Sequence, residues 1–154
     1  MVKRTTIIET ITFLNVVLFL YTTISKIEDF SIFKDQLAES LVLAPISKLI
    51  AILLPCIELF LVLMLIVPRW RLKGFYLTVG LMIIFTGYII ILLTSNKQLP
   101  CSCGGIIELL SWPQHLIFNS AFIIADIFSI RLLLKQKKDI LKDRYGVMQY
   151  KASY

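Results

Sequence analysis

The chain has 154 residues, of which 58% are hydrophobic and only 17% charged, with a mean hydropathy of +0.83. An ordinary soluble domain is about 45–50% apolar and about 25% charged, and one this small has too much surface for its volume to hide so many apolar side chains; a soluble enzyme and a disordered chain are both excluded. The net charge of +6 comes from basic residues that flank apolar runs. They are read as membrane-topology signals and not as a nucleic-acid footprint, since no aromatic-interleaved basic patch, P-loop or Gly-rich dinucleotide fingerprint accompanies them.

The first apolar run, about residues 7–24, follows Lys3 and Arg4. No small-residue cleavage site closes it, so it is expected to be a retained span and not a signal peptide. Asn15, Thr22 and Lys26 follow i, i+7, i+11 and share one helical face. Next come Phe30, Phe33, Leu37 and Leu41, with Asp29, Lys34, Asp35 and Glu39 on other faces. That pattern predicts an amphipathic helix on the membrane-water boundary, either a lid over the bundle or a substrate gate.

The second run, about 46–67, contains Pro55, Cys56 and Glu58. A cysteine in such apolar surroundings is expected to act as a small buried hydrophobe. The third run, about 72–93, holds Gly80 and Gly87, seven apart on one face, which are expected to permit close helix packing. Each run is about long enough to cross 30 Å of hydrocarbon as a helix.

Residues 95–112 form a connection carrying Pro100-Cys101-Ser102-Cys103-Gly104-Gly105. The fourth run, about 113–134, starts behind a capping-box pattern, Ser111-x-x-Gln114, with Pro113 in the first turn and Trp112 at an interfacial position. Along it His115, Asn119 and Asp126 lie at i, i+4 and i+11. Residues 135–154 form a basic tail, expected to be solvated.

Twelve of the sixteen Lys and Arg fall on the even-numbered ends of the spans: Lys3 and Arg4, then Arg69, Arg71 and Lys73, then Arg131 onwards. The other four are Lys26, Lys34, Lys48 and Lys97. The positive-inside rule then puts both termini in the cytoplasm and the Cys101–Cys103 loop outside. The fold class is therefore all-α, an integral membrane four-helix bundle with one interfacial helix.

Intramembrane ionisable groups are costly and face the bundle interior. At about 1.5 Å per residue, Glu58 and Asp126 lie roughly 18 and 19 Å below the outer edge and Asn15 roughly 15 Å. The two carboxylates are expected to share one mid-membrane layer and one proton, with Lys26, His115 and Asn119 in a layer above. These polar groups serve either a proton path or interhelical hydrogen bonding.

Cys101 and Cys103 admit three readings. A disulfide across C-x-C closes a very small ring, and strained, exposed disulfides are the exchange-active ones; the two glycines relieve backbone strain and admit a partner chain. Lys97, His115 and the N-terminus of the fourth helix favour the thiolate, while Glu108 opposes it. A soft-metal site from Cys101, Cys103 and His115 is the second reading, though it lacks a fourth ligand and the usual spacing. A structural staple is the third, with little gained across so short a loop.

Together these features resemble the MauE branch of the DoxX-like membrane proteins: four spans, a lidded first outer loop, Lys26, Pro55…Glu58, and the run Pro100-Cys-Ser-Cys-Gly-Gly…Ser111-Trp-Pro-Gln-His115…Asn119. The resemblance covers about residues 10–132. It implies envelope disulfide chemistry with a thioredoxin-like periplasmic partner or client, in the bacterial inner membrane. Cys101 and Cys103 would then be the redox pair, His115 a supporting residue, and Lys26 and Glu58 family polar positions. The bundle also resembles quinone-linked disulfide-forming enzymes of the vitamin K epoxide reductase-like group. Those use a membrane-embedded C-x-x-C and further shuttle cysteines, which this chain lacks, so neither a quinone nor any other cofactor is firmly implied. The expectation is a thiol-disulfide exchange protein in contact with membrane lipid, with no metal. The alternative is a non-catalytic membrane subunit of a larger envelope complex, with the cysteine loop as its docking element.

Overall fold

The computed structural model describes residues 2–39, 43–94 and 112–152. Five α-helices account for nearly all of them: α1 (Val2–Glu28), α2 (Phe30–Glu39), α3 (Ser47–Ile66), α4 (Arg71–Thr94) and α5 (Trp112–Ala152). A short 3-10 turn, Ala44–Ile46, leads into α3, and no strand occurs among the described residues. The β-branched Ile, Val and Thr that fill α1 and α4 are mediocre helix formers in water. In hydrocarbon the choice is forced, because every backbone N–H and C=O must be satisfied within its own segment.

Four of these helices, α1, α3, α4 and α5, are long and apolar enough to cross a membrane. They close into a ring in which α1 packs against α3 and α5, and α4 against the same two. Large apolar side chains point outward all round, among them Phe13, Leu63, Ile84, Ile117 and Ile124, as a lipid-facing surface requires. The interior is built around Ile8, Phe19, Leu61, Leu65, Phe75 and Ile130.

The two ends of the bundle differ. At the tail end, α3 turns into α4 through Val67–Trp70, closed by bonds from the N–H groups of Trp70 and Arg71 to the Val67 carbonyl. Gly74 lets α4 lie directly on that turn: an added Cβ would sit 3.3 Å from the Leu65 nitrogen and 3.3 Å from the Met64 carbonyl carbon. Gly80 and Gly87 have no neighbouring atom within 4 Å of an added Cβ, so they are not the close-packing positions that their spacing suggests.

At the lid end, Asp29 breaks the helix for one residue, and α2 folds back onto α3, seating Phe33 and Leu37 on Ala51. The expected apolar stripe on this helix is real at Phe33 and Leu37, whereas Phe30 stays 37% exposed and Leu41 lies outside the described residues. The α5 helix continues without a break through residues 135–152.

Cys56 also departs from expectation. It is exposed on the outer surface of α3 and not packed inside the bundle. Its neighbours Pro55 and Glu58 take the inward positions, and Cys56 falls on the opposite side of the turn.

Candidate functional site

A cavity of about 300 Å³ lies at the lid end, between α1, α3, α4 and α5 and beneath α2. Its walls are mainly apolar and aromatic, including Phe19, Phe33, Phe85 and Phe118, and its polar groups include Lys26, Glu58, Tyr88, His115 and Asn119. A concave apolar pocket with a few convergent polar groups is the usual form of a functional site.

An ion pair anchors it. Lys26 Nζ donates to Glu58 Oε1 at 2.7 Å, with both side chains only 7% exposed. Thr23 donates its hydroxyl to Glu58 Oε2 at 3.0 Å, so both carboxylate oxygens are served. The same ammonium reaches the Thr22 carbonyl at 3.3 Å and stands 5.9 Å from the centre of the Phe33 ring, at the limit of a cation–π contact. The lid helix therefore touches the charged pair directly.

The expected shared layer of two carboxylates does not form. Glu58 belongs to the upper group with Lys26, while Asp126 pairs with Asn15, whose Nδ2 donates to Asp126 Oδ1 at 2.8 Å. Side chains on a helix lean toward its N-terminus. Because α1 and α3 run in opposite directions, Lys26 leans inward and Glu58 leans toward the lid, and they close a gap that counting residues leaves open.

His115, three residues into α5, is buried against the Phe85 ring at a centroid distance of 5.9 Å. Asn119, one turn on, donates to Thr86 Oγ1 at 3.4 Å, and Thr86 donates in turn to the Met82 carbonyl at 2.7 Å. Thus Lys26, Glu58, His115 and Asn119 line one cavity, and Asp126 lies apart from it, deeper in the bundle. Cys101, Cys103 and their neighbours Lys97, Gly104, Gly105, Glu108 and Ser111 lie outside the described residues. The two helices that hold that connection, α4 and α5, contribute Tyr88 and His115 to the cavity. Among the described residues no group of three His, Cys, Asp or Glu is placed to hold a metal ion.

Several functional-looking residues escape a reading by type and charge. Thr23 is one; its signal is the 3.6-residue spacing of Ile8, Thr12, Asn15, Phe19, Thr23 and Lys26, all buried. Another is the pair at the tail end, where Arg71 donates to Glu9 at 2.6 Å and to the Leu65 carbonyl at 3.0 Å. Arg71 looks like a topology charge alone, yet it also satisfies a carbonyl in the last turn of α3, where a cation is favoured.

A family model described as methylamine utilisation protein MauE matches residues 4–133. No curated protein and no solved structure matches the chain. The match takes in all four spanning helices, the lid and the polar residues of the cavity, so this four-helix membrane protein belongs to the MauE family.

Proposed function

We propose that this MauE-family protein is a thiol-disulfide exchange protein of the bacterial inner membrane, with Cys101 and Cys103 as its redox pair and a thioredoxin-like protein or client on the periplasmic side as its partner. In the exchange, a thiolate of the reduced pair attacks one sulfur of the partner's disulfide. The partner's S–S bond breaks, a mixed disulfide forms, and the partner's other sulfur leaves as a thiolate that takes up a proton. The second cysteine then loses its proton, attacks its neighbour's sulfur and releases the partner as a dithiol. Two electrons and two protons pass to the partner, and Cys101–Cys103 becomes a disulfide; the reverse sequence reduces the pair. No cofactor enters this balance, since the partner is itself oxidant or reductant.

The observation that carries the reading is the C-x-C pair in the connection between α4 and α5, the two helices that bring Tyr88, His115 and Asn119 to the cavity. His115 is the group assigned to accept and return the thiol proton. Lys26 and Glu58 fix the cavity and the lid through Phe33.

The test is the thiol state of the pair in cells, read by acid quenching and mass-shifting alkylation against a reduced control. The expected result is a mixture of dithiol and disulfide that shifts with added oxidant or reductant. Cys101→Ser and Cys103→Ser should each leave the bundle assembled and end cycling, and one of them should trap a partner in a reductant-sensitive adduct. A pair that stays fully oxidised, or free thiols that react only after chelation, would overturn the exchange reading. Stoichiometric partners that survive reduction would establish the docking-subunit alternative in its place.

A further inference from the structure

The second polar group inside the bundle takes no part in the cavity. Asn15 and Asp126 are both fully buried, joined across α1 and α5 by the 2.8 Å bond from Asn15 Nδ2 to Asp126 Oδ1. The other amide hydrogen of Asn15 goes to the Ile11 carbonyl at 2.9 Å. Both hydrogens of the amide are thus committed, and this fixes which side of Asn15 is oxygen. Asn15 Oδ1 and Asp126 Oδ2 are left without a hydrogen-bond partner, both buried. Two acceptors with no donor, on groups already joined along their other edge, are short of one hydrogen. Unserved buried acceptors of this kind are rare and call for an explanation.

The charges say the same. A carboxylate at this depth is expensive unless it is paired. Among the described residues no Lys, Arg or His forms an ion pair with Asp126. The charged pairs nearest each end of the bundle interior, Lys26–Glu58 and Arg71–Glu9, are each closed on themselves. The other buried side-chain polar groups without a partner among the described residues, Thr78 on α4 and Ser129 one turn along α5 from Asp126, are uncharged hydroxyls.

The geometry points to a proton-binding site: Asp126 is a neutral carboxylic acid, and its Oδ2–H donates to Asn15 Oδ1, closing a reciprocal acid–amide pair between α1 and α5. One proton serves both unpartnered oxygens and removes the unpaired charge. A buried water could donate to the same two oxygens, but it would leave an ionised carboxylate without a counter-charge. The site is independent of the cysteine chemistry and would stand if that reading failed.

The experiment uses the full chain in lipid nanodiscs, with aspartate isotopically labelled at the side-chain carboxyl carbon. The chain has five aspartates, and the other four, Asp29, Asp35, Asp139 and Asp143, are exposed. Carbon spectra at neutral pH should therefore show four carboxylate signals and one protonated-acid signal. Asp126→Asn should remove that signal, and Asn15→Ala should shift it. Five carboxylate signals at neutral pH in the unmodified protein would overturn the proposal, whichever water or cation then serves the two oxygens. A protonated signal unmoved by Asn15→Ala would overturn the pairing. The spectrum of the unmodified chain decides the protonation state even where a variant does not assemble.

Discussion

Lys26 and Glu58 hold the lid end together through a bond whose strength lies in its completeness. The ammonium meets a carboxylate oxygen, a main-chain carbonyl and an aromatic face, while the second carboxylate oxygen takes a hydroxyl. Removing one partner leaves the other charged and buried, which costs about 3–5 kcal/mol, whereas replacing both with apolar residues of similar volume is often nearly neutral. Lys26→Met and Glu58→Leu should therefore each destabilise the bundle strongly, and the double variant should recover most of the loss. Thermal unfolding in detergent reads this directly. A double variant no more stable than the singles would mean that the pair contributes more than mutual compensation. Cys56→Ala should do nothing measurable, since an exposed, outward-facing side chain contributes within about 0.5 kcal/mol.

At the scale of helices, the glycines of α4 separate spacing from contact. Gly74→Ala would press a methyl group onto the α3 backbone at 3.3 Å, where no rotamer change can relieve it. Overpacking of that kind costs about 1–3 kcal/mol. Gly80→Ala and Gly87→Ala add a methyl group to open space and should be neutral or stabilising by up to about 1 kcal/mol, since Ala is the better helix former. Comparing the melting temperatures of the three variants checks this ordering.

The same contrast shows what can be read from residues in order. Hydropathy locates all four spans and the lid, because the membrane leaves the backbone one solution over about 20 residues. The shared face of His115 and Asn119 and the inward turn of Lys26 follow from helical periodicity. What escapes is anything set by how two helices lie against each other. Depth along the helix axes pairs Glu58 with the wrong companion, because it leaves out the opposite lean of side chains on oppositely running helices. Gly74 is passed over because its neighbour is a turn of α3, which its own helix does not record. Arg71 and Glu9 are 62 residues apart, and no local pattern links them.

The whole molecule is asymmetric across the membrane, and α5 sets the asymmetry. At 41 residues it is about 60 Å long, twice the thickness of the hydrocarbon. Starting at the lid end, roughly its first 20 residues are enough to cross the hydrocarbon, and Lys135, Lys137, Lys138, Lys142 and Arg144 follow them. The ion pair it makes there among the described residues, Arg4 to Asp139 at 3.2 Å, is half-exposed, and such pairs are worth about 0–1 kcal/mol. Removing residues 135–154 should therefore leave the bundle folded. Its effect falls on orientation, since the deletion takes six of the twelve basic residues from the tail end and leaves six against four. Charge bias near span ends decides orientation, so the full chain should insert with its termini inside and the shortened chain in both senses. Cys101 and Cys103 report the outcome, because Cys56 faces hydrocarbon and stays unreactive. After mild reduction of intact cells, a membrane-impermeant thiol reagent should label the pair fully in the full chain. In the shortened chain a fraction should react only once the membrane is opened. A full-length pair that needs permeabilised cells would reverse the orientation and place the exchange partner in the cytoplasm.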